Sequence, residues 1–165
     1  MTAPKLGPKF KRLAPNARAD ELVQAGLNVL ARGGITAFTI DNIAAASGAS
    51  RGLVSHYFGG KDGLLAACYS SAYAPLLRSL WSGADPLPLP ALLEELLSER
   101  QLRPEGLNIW LALWGEIAVN PTLRAAHLDH HRAYGAAIAA SMARHWGRAT
   151  PNARDLTLAA ALIAL

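Results

Sequence analysis

Three features of the 165-residue chain predict an all-α fold. Apolar residues return every three or four positions, as in Leu22, Val23, Leu27 and Leu30, which is the period of a helix with one buried face. Helix starts and stops punctuate these runs. No stretch alternates apolar and polar residues as a strand would.

Taken in order, the elements justify themselves from local chemistry. The first residues read as a basic arm, broken by Pro4, Gly7, Pro8 and Pro15 and charged by Lys5, Lys9, Lys11 and Arg12. Asn16 is placed to cap a first helix, whose early Asp20 and Glu21 favour the positive helix end. Gly33-Gly34 should stop it. Thr39 should cap a short helix, Ile40 to Ser47, and Gly48 supplies the positive φ of a tight turn. Ser50 should cap the next helix, with Val54 and Phe58 inward, and Gly59-Gly60 should end that one. A longer helix begins at Lys61, and Pro75 inside it should kink it.

The stretch "SGADPLPLP", residues 82–90, reads as a proline-rich connection. Leu92 to Leu102 follows as a helix. Another starts at Pro104, with Leu107, Trp110, Leu111, Trp114, Ile117 and Ala118 on its apolar face. Asn120-Pro121 pairs a cap with a proline at the first helical position, opening a long helix toward Trp146. Thr150-Pro151 repeats that signal before a last helix. Its run from Leu156 to Leu165 is uncharged and uncapped, so it calls for burial in this chain or against another.

Composition narrows the function classes. Hydrophobic residues make up 52% of the chain, enough for a packed core and too many for a disordered one. Cys68 stands alone, so no intrachain disulfide framework exists. The first ten residues have no apolar signal segment, and the longest uncharged apolar run is too short to span a bilayer. A cytoplasmic protein is expected. Residues 1–61 hold eight basic and three acidic side chains, a net +5, whereas the rest carries a net −1. A basic end on a near-neutral body suits a polyanion partner for that end only.

Residues 46–65, "ASGASRGLVSHYFGGKDGLL", supply the chemistry. Short helices joined by a glycine turn are the sequence signature of a helix-turn-helix. The second helix would aim free N–H groups and its positive end at phosphates. Ser50 can touch phosphate, and Arg51 can reach guanine O6 and N7 with its planar fork. Gly52 allows close backbone approach, and Leu53 can meet a thymine methyl. Ser55, His56 and Tyr57 offer hydrogen bonds, and Lys61 offers a point charge to the backbone.

The segment "FTIDNIAAASGASRGLVSHYFGGKDGLL", residues 38–65, resembles the DNA-binding part of TetR-type (tetracycline-repressor-like) regulators. "PKLG", "SHYFGGKDGLL", "WLALW" and "AALI" look like the BetI-like branch of that family, the betaine-pathway repressors. The resemblance implies an N-terminal helix-turn-helix three-helix bundle over residues 1–60. A helical effector-binding and dimerisation body would follow over 61–165. It implies DNA contacts from Thr39, Ser50, Arg51, Gly52, Leu53, Ser55, His56, Tyr57 and Lys61. It further implies a homodimer seamed by the C-terminal helices, here Leu158, Leu162 and Leu165, and a family helix beyond residue 165. Asp41 departs from the pattern, standing where some relatives carry a base-reading arginine.

The body holds the remaining candidates. Tyr73, Trp81, Trp110 and Trp114 could line a pocket, whose aromatic faces would suit a choline-like cation. Glu116 could supply a countercharge. His127 and His131 lie one helical turn apart, but no third metal ligand is evident, so His127, His130 and His131 read as surface or interface residues. Cys68 reads as a small core residue. The expected function is a one-component transcriptional regulator, most simply a repressor. It would bind a pseudopalindromic double-stranded DNA operator and be released by a small-molecule inducer, with no cofactor and no catalysis. Two rivals stand beside it: a metal-dependent helical enzyme built on the three histidines, and a helical protein–protein adaptor.

Overall fold

The computed structural model describes residues 15–83, 85–98 and 104–163. The basic arm and Leu165 lie outside them. Helix α1 spans Pro15–Ala37, α2 Ile40–Ser47, α3 Arg51–Phe58 and α4 Lys61–Ser79. A hairpin of β1 (Trp81–Ser82) and β2 (Asp85–Pro86) follows. The body continues with α5 (Leu89–Leu96), α6 (Pro104–Ile117), α7 (Pro121–His145) and α8 (Ala153–Ile163).

The N-terminal helices fold around Leu22, Leu30, Phe38, Ile43 and Val54, all fully buried. Leu64, Leu65 and Cys68 of α4 complete that core, so the packing does not divide at residue 60. Leu113 of α6 and Leu123 of α7 join the same cluster. Helix α4 packs along α7 and α1 against α6, which makes α4 the strut between the two ends. A second cluster gathers Leu80, Leu92, Ala137, Ile138, Ala139 and Ala159 beneath the hairpin, α5 and α8.

Two close approaches between helices require glycine. A Cβ on Gly63 would lie 1.8 Å from the carbonyl oxygen of Phe58, where α3 turns into α4. A Cβ on Gly26 would lie 2.6 Å from Cys68 Sγ, where α1 crosses α4. Burial in that crossing pushes the Cys68 thiol up to about 12.

Several expectations change. The hydrogen-bonded turns of α1 continue past Gly34, which breaks the helical backbone at φ 61°, and reach Ala37. Pro75 sits inside α4 without ending it. The proline-rich connection makes a short antiparallel pair, Trp81 with Pro86 and Ser82 with Asp85, around Gly83 at φ 67°. Ser141 Oγ donates to Leu87 O at 2.6 Å and fastens that connection to α7. Helix α5 starts at Leu89 and ends at Leu96, earlier than expected.

Helix α6 packs Trp110 and Ile117 against the core as expected, but its inward face is rotated to take in Leu113 rather than Leu111. Leu113 is fully buried, whereas Leu111 is 65% exposed. The cap of α8 is Asn152 rather than Thr150. Asn152 Oδ1 accepts from Asp155 N–H at 3.1 Å, and Asp155 Oδ2 accepts from Asn152 N–H at 2.9 Å, a reciprocal capping pair. Arg148 donates to Asp155 Oδ1 at 2.7 Å. That hydrogen bond, with the one from Asn152, holds the carboxyl below its usual range.

Candidate nucleic-acid interface and body cavity

The helix-turn-helix is built from its caps. Thr39 Oγ1 accepts from Asn42 N–H at 3.2 Å and starts α2. Gly48 ends it in the left-handed region at φ 65°. Ser50 stands at the N-cap of α3 but makes no side-chain cap bond, which corrects its expected role and leaves its hydroxyl uncommitted. Val54 anchors α3 in the core.

The outward side of α3 carries Arg51, Gly52, Ser55 and His56, all exposed, with Thr39 and Lys61 exposed beside it. Leu53, Tyr57 and Phe58 are half-buried against the core, so Leu53 and Tyr57 present only an edge. His56 and Tyr57 meet edge to face at 5.0 Å. A Cβ on Gly52 would meet nothing within 4 Å, so packing inside the chain does not account for that glycine. Arg51 Nε and Asp41 Oδ1 form an ion pair at 2.6 Å, linking the first turns of α2 and α3. The sequence marked Asp41 only as a departure from a pattern; the structure makes it the partner of Arg51.

The body holds a cavity of about 490 Å³ between α4, α6 and α7, lined by Tyr69, Tyr73, Trp114, Arg124, His127 and His131. An adjoining one of about 310 Å³ shares Tyr73 and Trp114 and adds Trp110, Tyr134, Leu107 and Leu162. The aromatic rings pack on one another. Tyr69 stacks on Tyr73 at 5.3 Å, and Trp110 meets Tyr73 edge-on at 5.4 Å. Trp81 lines neither cavity; it sits in the hairpin, 40% exposed. Glu116 lines neither as well.

The three histidines, expected at the surface or an interface, are half-buried in this chain. His127 Nδ1 and the Tyr69 hydroxyl share a hydrogen bond of 2.8 Å, and His130 Nε2 and Ser70 Oγ share one of 2.9 Å. Burial, then the charges of His131 and His130, hold His127 below the ordinary imidazole range. Burial pushes the Tyr69 and Tyr73 hydroxyls up, so they stay protonated donors. The hydroxyl partners of His127 and His130 come from α4, across the helix packing, which sequence spacing does not reveal. Among the described residues no group of three His, Cys, Asp or Glu side chains is placed to hold a metal.

On the last helix Leu158 is 43% exposed, whereas Leu162 packs into the second core cluster and lines the smaller cavity. The expected dimer stripe is therefore split. None of the described helices is long and apolar enough to cross a membrane.

A capped helix-turn-helix with an exposed second helix, mounted on a cavity-bearing helical body, defines a ligand-responsive class of DNA-binding regulator. Residues 22–68 match the family of bacterial regulatory proteins of the tetR type, and residues 88–165 match the BetI-type transcriptional repressor C-terminal family. The HTH-type transcriptional regulator BetI of Burkholderia thailandensis is 31% identical over 173 residues, covering 98% of this chain and 81% of that protein. A transcriptional regulator structure from Pseudomonas aeruginosa PAO1 superposes with a TM-score of 0.77 at 28% identity, covering 94% of this chain and 78% of that one. A regulator from Saccharomonospora viridis, solved in complex with choline, shares the fold at a TM-score of 0.69 and 20% identity, covering 92% and 81%. The chain belongs to the TetR family of transcriptional regulators, with a BetI-type body. The enzyme and adaptor readings give way to that membership.

Proposed function

We propose that the protein is a cytoplasmic repressor that binds a pseudopalindromic operator as a homodimer and leaves it when a small molecule occupies the body cavity. The observation that carries this reading is the exposed row on α3, held out by the buried Val54. Arg51 reads a base edge, and Ser55 and His56 add hydrogen bonds. Gly52 lets the backbone close on the groove, where a side chain would have intruded. Thr39, Ser50, Tyr57 and Lys61 hold phosphates and set the register, with Leu53 at the edge of the contact. Residues 1–60 act as the reading head, and the body from Lys61 onward senses and dimerises.

In a dimer two α3 helices would sit roughly 34–36 Å apart, one turn of DNA. A ligand that favours a different spacing would withdraw them from successive grooves. The seam draws on the outer side of α8, including Leu158 but not Leu162.

The test is light scattering on two variants. Leu158→Glu is felt once from each subunit across a two-fold seam and is expected to yield a folded monomer with weak operator binding. Leu162→Glu is expected to lower the melting temperature of the chain itself. A Leu158→Glu protein that stays dimeric and binds DNA as the wild type does would overturn the assigned seam.

A further inference from the structure

We propose that the body cavity takes a small ligand with a flat apolar body and one negative charge, an aryl or alkyl carboxylate, in preference to a quaternary ammonium cation. The inference rests on the reading of that cavity as the effector site. Its aromatic walls accept either class, so the charged and hydrogen-bonding groups decide.

Those groups are donors. Arg124 is the charged side chain that lines the larger cavity, and no carboxylate lines either cavity among the described residues. Arg124 Nε donates to Ile117 O at 3.0 Å, and Nη2 donates to Ala118 O. These bonds fix the guanidinium at the end of α6 and leave Nη1 unused by either carbonyl. In the neutral tautomer that carries its proton on Nε2, His127 accepts from the Tyr69 hydroxyl at Nδ1 and offers Nε2–H as a further donor. His131 stands 5.4 Å from His127, ring to ring.

A cation here would face a fixed positive charge with no counterion. Arg124 is exposed, but like charges near a protein surface still repel more strongly than they do in open water. A carboxylate reverses every sign: it pairs with Arg124, accepts from the imidazole, and lays its apolar body on Tyr73 and Trp114.

The groups facing His127 are Tyr69 and Tyr73 from α4 and Arg124, His130 and His131 from α7; α6 contributes only Trp114, Ile117 and Ala118. None is acidic. A bound carboxylate would bring negative charge to a lining that has none among the described residues, and its binding should strengthen on acidification as the His127 imidazole takes up a proton.

A charge series on one aryl body tests the proposal: phenylacetate, phenylacetamide and benzyltrimethylammonium. Binding is read by tryptophan fluorescence, and operator release separately by fluorescence anisotropy. Phenylacetate is expected to bind about tenfold or more tighter than either of the others. It should tighten as the pH falls, and Arg124→Gln should remove the preference while Arg124→Lys retains part of it. Cation binding equal to or tighter than phenylacetate, or no binding by phenylacetate, overturns the proposal. Phenylacetate binding without operator release sustains the ligand class and overturns the effector reading. Release by the cation alone does the reverse.

Discussion

The side-chain amide of Asn120 donates to Asp62 Oδ1 at 3.0 Å, while its own Oδ1 accepts from Leu123 N–H at 3.0 Å. One buried side chain thus caps α7 and ties the α6–α7 corner to the root of α4, next to Lys61. The carbonyls that Arg124 grips, Ile117 and Ala118, stand just before that corner. The cavity and the reading head therefore meet through a short run of bonded groups.

Asn120→Ala removes both bonds. Loss of the cap alone costs about 0.5–2 kcal/mol, so urea denaturation should show at least that loss. Asp62→Ala removes the inter-element bond and the acidic charge in the first turn of α4, and is expected to cost about 0.5–1.5 kcal/mol for the bond. It should leave operator affinity near wild type and shrink the effect of a bound ligand on it. A ligand response unchanged in Asp62→Ala would take that bond out of the coupling.

Arg51→Ala is expected to cost about 1–3 kcal/mol on the preferred site and to relax preference at one base pair. Asp41→Asn should act in the opposite sense on bulk DNA. It frees Arg51 from a fixed partner and removes one negative charge beside it, so non-specific binding should tighten while discrimination at the Arg51 base pair falls. Because the pair is exposed, thermal stability should move little in Asp41→Asn. Random-site binding profiles of both variants check this; two profiles identical to wild type would remove the pair from base reading.

Lys61→Ala should weaken binding to all sequences alike and reduce the salt slope by about 1, the signature of one lost phosphate contact. Titrations at several salt concentrations decide it. A loss confined to some sequences would mean that Lys61 reads bases.

The His127 environment sets a pH dependence. The folded state holds this imidazole below its ordinary value, so at mildly acidic pH the unfolded chain binds the proton more readily. The contribution is fully present above the ordinary imidazole pKa of about 6.5 and is lost as the pH falls toward the lowered folded value. Denaturation midpoints should drop with acidification through that window, and His127→Gln should flatten the drop. A wild-type midpoint that rises on acidification through the same window would reverse the sign assigned here.

Local chemistry made much of the fold legible. Thr39, Gly48 and Asn120 each do what their residue type does at a helix end, and no distant contact competes with them. Thr150 lost its cap to Asn152 because Asp155 reciprocates with Asn152 and Arg148 secures Asp155, a three-way arrangement that spacing alone did not single out. The face of α6 was misjudged for a related reason. Both Leu111 and Leu113 fit an apolar periodicity, and the packing of α1 and α7 selects Leu113. Gly26 and Gly63 look like weak points in their helices until the crossing chain is seen. The exposure of Arg51, Gly52, Ser55 and His56 on α3 was legible in the sequence because a glycine turn and the inward Val54 fix which way a short helix faces. The placement of the histidines was not, since their partners Tyr69 and Ser70 lie about sixty positions away in sequence.

The central claim is that α3 reads a two-fold DNA site. Selection from a random double-stranded library, with wild type and Arg51→Ala run side by side, tests it most directly. The account predicts that wild type enriches a pseudopalindrome whose half-site centres lie about one helical turn apart, and that Arg51→Ala loses one base preference in each half. Failure of wild type to enrich any sequence, or enrichment of the same sequences with the same preferences by Arg51→Ala, would contradict it.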